Sequence, residues 1–122
     1  MKLDEALLQD YLLCDASQPL ISNGCLEEEL SLYHISPPSA TLLFEEFYAL
    51  TGKELSPKSL PEELSGGQKV LLMALLALHS PASKIIIIDL FCALDQDKRL
   101  LLKELMERYS PHREIRLESG TC

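Results

Sequence analysis

Ser65-Gly66-Gly67-Gln68-Lys69-Val70-Leu71-Leu72-Met73-Ala74-Leu75-Leu76-Ala77-Leu78-His79, followed after a short gap by Lys84-Ile85-Ile86-Ile87-Ile88-Asp89, carries the strongest structural signal in the chain. The first segment opens on a serine and two glycines and is then apolar on every side. A helix with no polar face must be buried or must lie at an interface. Pro81 ends it. The second segment is four β-branched residues in a row, which reads as a central strand covered on both faces, as in a parallel sheet. It ends at Asp89.

Toward the C-terminus, Asp95 or Asp97 caps a helix expected from about Lys98 to Tyr109, with Leu101, Leu102, Leu105 and Met106 as its core face. After Ser110-Pro111, Arg113–Glu118 alternates Ile115 and Leu117 with charges and reads as a second strand. Strand, helix, strand makes a right-handed βαβ unit over residues 84–118. Toward the N-terminus, Leu3, Ala6, Leu7, Leu8, Tyr11, Leu12 and Leu13 draw one helical face. Glu27–Tyr33 reads as a short helix ended by Ser36-Pro37-Pro38. Ser39 then caps a clearer one, with Leu42, Leu43, Phe44, Phe47, Tyr48 and Leu50 apolar and Gly52 as its stop. The expected class is α/β: strands near 84–89 and 113–118 behind a helix-rich N-terminal half. The 122 residues suit a single domain, 1–122, with an acidic helical part over 1–60 and, over 61–122, the apolar helix, the strand ending at Asp89, a turn, a helix and a last strand.

The formal net charge is −8, unevenly placed: residues 1–63 hold 12 acids and 3 bases, residues 64–122 hold 7 acids and 8 bases. The first part repels nucleic acid and anionic lipid, so neither is expected as a direct partner. The second tolerates a phosphate. No apolar run reaches the roughly 18–20 residues that span a bilayer, and the acidic start, Met1-Lys2-Leu3-Asp4-Glu5, does not read as a secretory signal. A cytoplasmic location is expected. Cys14, Cys25, Cys92 and Cys122 form no C-x-x-C pair, and Cys14 and Cys92 read as buried thiols. His34, His79 and His112 lack zinc-ligand spacing.

Three features carry chemistry, in a fixed order. Leu64-Ser65-Gly66-Gly67-Gln68 starts a helix, where backbone N–H groups, the positive dipole end and a hydroxyl together suit a phosphate. Glycine there lets another surface approach. Asp89 ends a buried strand, where open α/β sheets place ligand groups and a carboxylate could hold Mg²⁺ through water. Ala93-Leu94-Asp95 follows. Alone, Gly66-Gly67 reads as an ordinary helix start and Asp89 as a turn or cap.

Taken together, the set resembles the ATP-binding cassette ATPases. Leu64–Gln68 is similar to their signature motif, Ile85–Asp89 to their Walker B strand, and Ala93-Leu94-Asp95 to their D-loop. The helix from Lys69 to Leu78 lacks the arginines of transporter cassettes. In this it is closer to the chromosome-maintenance and double-strand-break-repair branch. The resemblance covers about residues 60–118 and implies a partial P-loop-NTPase-like fold.

Other family parts do not match. Only Gly52-Lys53 has the Gly-Lys step of a G-x-x-x-x-G-K-[ST] phosphate loop, and there Phe47 replaces the first glycine and Glu54 the Ser/Thr. Leu90 stands where the family places its catalytic glutamate; loss of a positioned base typically slows a reaction by about 10²–10⁴-fold. The span Leu90-Phe91-Cys92 is one residue shorter than the family's spacing to the D-loop. No switch histidine follows the last strand, and His112 precedes it. The resemblance therefore implies no catalytic residue, no cofactor bound alone and Mg-ATP only with a partner. The family's signature works in trans on nucleotide held by an opposing subunit, which makes Ser65, Gly66, Gly67 and Gln68 candidate nucleotide contacts and Asp95 a candidate inter-subunit contact. Asp89 is the candidate metal residue. The expected function is an interaction or regulatory partner, either a homo-oligomer or the companion of a complete ATPase. The alternatives are a structural remnant with no nucleotide role and, less favoured, a weak ATPase. A two-stranded sheet and an all-apolar helix leave surfaces that something must cover.

Overall fold

Ile85–Ile88 does form the middle of a sheet. The computed structural model describes residues 11–20, 24–109, 111 and 113–118. In it β2 (Lys84–Ile88) lies between β1 (Tyr11–Asp15) and β3 (Glu114–Glu118), all parallel, in the order β1-β2-β3. Leu12 pairs with Ile85 and Ile85 with Ile115; Asp15 and Glu118 both stand level with Ile88. The sheet therefore has one strand more than the sequence reading supplied. Residues 11–13, expected to continue a helix, are extended because Ile-rich β2 offers them a hydrogen-bonding partner. Such a tertiary pairing outweighs local periodicity. The rest of that expected helix lies outside the described residues.

The crossover from β1 to β2 carries three helices: α1 (Leu26–Leu32), α2 (Pro37–Thr51) and α3 (Gly66–His79). The N–H groups of Leu26 and Glu27 at the start of α1 donate to the carbonyls of Ser59 and Pro57, so the later loop caps the earlier helix. Ser36, not Ser39, caps α2: its hydroxyl accepts the Ser39 N–H. The two prolines that read as a stop are instead the first helical residues, where the missing N–H is harmless. Gly52 ends α2 in the left-handed conformation at φ 75°, donating to the Tyr48 carbonyl. α4 (Gln96–Tyr109) joins β2 to β3. Its core face is Leu102, Leu105 and Met106, while Leu101 points outward, 44% exposed.

A monotonic strand order puts both right-handed crossovers on one side of the sheet. Cys14, Ile85 and Ile87 on that side are buried. Against them lies α3, in which every residue from Val70 to Leu78 is buried within this one chain. α2 contributes Leu43 and Phe47 to the same core, and α4 contributes Leu102, all fully buried. The apolar helix thus needs no partner to cover it, contrary to one ground for expecting association. Burial of that helix removes on the order of 1.5–3 kcal/mol worth of exposure per large side chain. The second face of the sheet departs from the sequence reading. Ile86 and Ile88 are only half-buried and Leu13 is 59% exposed. Coverage on both faces is not present among the described residues. Cys92, expected as a buried thiol, is exposed and is not a free thiol. Cys14 is buried as expected, 3.9 Å from the Tyr33 hydroxyl, and burial pushes its thiol up to about 11.

At the amino edge of the sheet a polar cluster ties three helices together. His79 Nε2 lies 2.7 Å from Glu46 Oε1, and the Tyr109 hydroxyl donates to Glu46 Oε2 at 2.9 Å. The Arg113 guanidinium donates to the Ser80 and Ala77 carbonyls, satisfying the end of α3. Burial, reinforced by the hydrogen bond to Glu46, pushes the Tyr109 phenol up to about 12. A raised phenol pKa means the folded state favours the neutral form. That contribution is complete below the unfolded value near pH 10 and is lost as pH rises toward about 12. Tyr109→Phe is expected to lower stability by about 1 kcal/mol at neutral pH and to flatten the alkaline fall, leaving the share due to Tyr33 and Cys14. Denaturation at pH 7 and across pH 9–12 checks both.

Candidate nucleotide-contacting site

Only residues 80–83 separate α3 from β2, so α3 runs back against the strand direction. Its first turn lies on the side of the sheet's carboxyl edge. A helix of 14 residues is about 21 Å long against about 17 Å for a five-residue strand. Leu64, 6% exposed, anchors the chain just before that turn. Ser65 is its N-cap: the hydroxyl accepts the Gln68 N–H at 3.2 Å and Gln68 Oε1 accepts the Ser65 N–H at 2.9 Å. This reciprocal pair is a capping box.

Ser65 and Gly66 are exposed; Gly67 and Gln68 are half-buried. The φ of Gly66 is not positive, so the backbone does not require glycine there. A Cβ built on Gly66 meets nothing within 4 Å. Neither its conformation nor any packing among the described residues explains the residue, and glycine carries a larger backbone entropy cost than alanine. It leaves an open patch of backbone beside first-turn N–H groups that stand outside the helical ladder.

β2 ends in a sharp reversal. Asp89 adopts the left-handed conformation, φ 57° and ψ 31°. Its N–H donates to the Glu118 carbonyl at 2.8 Å and its carbonyl accepts from Cys92. Aspartate tolerates this region better than most residues, and such strain clusters at functional sites. A 3-10 turn, Leu90–Ala93, follows and packs under α3. Together the reversal and the tight turn bridge the short span from Asp89 to Leu94. They also send Leu90 into the core, 2% exposed. No proton acceptor stands at that position.

Leu94 is buried and holds the loop; Asp95 is exposed and caps α4, accepting the Lys98 N–H at 2.9 Å and facing Lys98 Nζ at 3.7 Å. Asp15 was not foreseen as part of this edge. It ends β1 beside Asp89's strand, and its Oδ1 accepts both the N–H and the hydroxyl of Ser17. Those bonds, the backbone one foremost, hold its carboxyl below the usual range. The Asp-x-Ser spacing of an Asx turn was the available signal. Asp15, Asp89 and Glu118 thus share the carboxyl edge, but no group of three metal-holding residues occurs among the described residues.

Gly52-Lys53 lies at the C-terminal end of α2, the negative end of a helix dipole, with Phe47 fully buried one turn earlier. A phosphate loop occupies the opposite situation, between a strand and a helix N-terminus. His112 and residues 119–122, the stretch in which the resemblance implies a switch histidine, lie outside the described residues. No helix among the described residues is long and apolar enough to cross a membrane.

No protein-family model and no curated protein matches the chain. Among solved structures, it is similar to one assigned as an ABC transporter ATP-binding protein from Pyrococcus furiosus, with a TM-score of 0.70 and 18% identity. The match covers 97% of this chain and 60% of that one. At that identity the likeness establishes the fold: α/β, with the architecture of part of a cassette ATP-binding domain. The chain spans about 60% of that structure's length.

Proposed function

We propose that the chain is a non-catalytic relative of the cassette ATPases that acts as an interaction or regulatory partner, and that it presents Ser65–Gln68 to a triphosphate held by a complete ATPase. Gly66 carries this reading: an exposed glycine that nothing among the described residues requires, at a helix start suited to anions. The buried Leu90 supports the absence of catalysis in cis. The half-open sheet face at Leu13, Ile86 and Ile88 supports a need for company. The arginine-free α3 supports placement beside the chromosome-maintenance and DNA-repair branch, and Mg-ATP as a ligand only of the assembled pair.

A second reading has observations of its own. Ser65 and Asp95 already cap their own helices, as expected if the motif survives only as a structural remnant. The two readings separate on Gly66→Ala and Ser65→Arg. Gly66→Ala is expected to raise stability by about 0.4–1 kcal/mol, since the added methyl meets no atom. In the trans reading both variants suppress the change in turnover that the wild-type chain produces in a cassette ATPase recovered with it from its own cell. Unaltered turnover and complex formation with Ser65→Arg would leave the remnant reading.

A further inference from the structure

Thr41, Phe44, Glu45 and Tyr48 follow one another at helical spacing along α2, on the side away from Leu43 and Phe47. This helix therefore has two apolar stripes. One is sealed in the core; the other faces out, with Tyr48 51% exposed. Glu54 and Leu55, in the chain leaving α2, close the second stripe into a cleft of about 400 Å³. Its floor is Phe44, Tyr48 and Leu55. Its rim is Glu45 and Glu54, both exposed, neither with an ion-pair or hydrogen-bond partner among the described residues. Lys53 and Lys58 do not line it. The sequence that supplies it is acidic, with 12 acids to 3 bases over residues 1–63.

We infer that this cleft docks a basic amphipathic helix of a partner protein, whose apolar side chains enter between Phe44, Tyr48 and Leu55 while its lysines or arginines meet Glu45 and Glu54. An apolar floor with an acidic rim selects that chemistry over an acidic helix by like-charge repulsion, and over an anionic lipid surface for the same reason. A second copy of this chain is a poorer occupant, since its net charge of −8 opposes approach to an acidic rim. The cleft is separate from Ser65–Gln68, and either surface can fail alone.

The test is fluorescence anisotropy with a labelled Leu/Lys amphipathic helical peptide of about 18 residues, and its Leu/Glu counterpart, against the full chain. The Leu/Lys peptide is expected to bind and the Leu/Glu peptide not to. Glu45→Lys with Glu54→Lys, and separately Tyr48→Asp, are expected to weaken binding about tenfold or more. Glu27→Lys with Glu62→Lys changes net charge equally, at exposed positions off the cleft, and is expected to leave affinity within about twofold. All these sites are exposed, so circular dichroism should stay at the wild-type spectrum, with Tm lowered by a few degrees at most where Glu27→Lys places a cation in the first turn of α1. Equal loss in the two double variants, binding of both peptides alike, no binding, or dissociation of a homodimer by Tyr48→Asp would overturn the docking surface.

Discussion

Leu90→Glu, which places a glutamate where the cassette ATPases that the sequence resembles carry one, is expected to destabilise the chain by about 3–5 kcal/mol and to produce no ATP turnover. Leu90 is 2% exposed, in a turn packed beneath α3. A glutamate there loses the leucine's apolar contacts and puts a carboxylate where no water reaches it. Domains of this size have total stabilities of about 5–15 kcal/mol, so the variant would be largely unfolded or would keep its carboxyl protonated. Denaturant unfolding at pH 7 and at acidic pH measures both, since protonation should restore part of the loss. Wild-type stability together with Mg-ATP hydrolysis would mean that position 90 opens onto a catalytic site, against the geometry described.

Phe47→Gly recreates the spacing G-x-x-x-x-G-K and is expected to be as damaging. Phe47 is fully buried in the last turns of α2. Emptying an aromatic site costs about 3–5 kcal/mol, and glycine inside a helix adds about 1. Lys53 would still follow the C-terminal end of α2, whose carbonyls repel a phosphate. Calorimetry with Mg-ATP is therefore expected to give no heat of binding, at millimolar nucleotide on the order of weak phosphate sites. A variant that folds normally and binds ATP would show that the Gly-Lys step has a latent role.

Much of this was legible from residues 64–118, where each local signal agrees with its neighbours. Ser65 followed by Gln68 foretold a helix start, the run Val70–Leu78 a buried helix, and Ile85–Ile88 a central strand. Tyr11–Asp15 was not legible, because a strand with three consecutive apolar or thiol side chains continues a helical pattern equally well; only its pairing with β2 decides. The Pro37-Pro38 step was read as a stop for want of knowing which side the helix lay on, since proline serves both ends. The half-open face of β2 was invisible for another reason. Four isoleucines state that a strand is apolar, but the coverage of each face is set by topology, and strands added in one direction bring both crossover helices to one side. In the site, Gly66 was legible as a residue, and its significance was not. That lies in the open space beside it, since a Cβ there meets no atom within 4 Å among the described residues. The left-handed turn at Asp89, which buries Leu90, has no sequence signature beyond aspartate's tolerance for it.

Photolabelling asks most directly whether this chain lends its helix start to another protein's nucleotide. The label is a triphosphate analogue with a photoreactive group on the γ-phosphate, added to the chain alone and then with the cassette ATPase recovered with it. The account predicts label on the peptide containing Leu64–Lys69 only when the ATPase is present, and its loss with Ser65→Arg. Label acquired by the chain alone, or label confined to the ATPase, would contradict it.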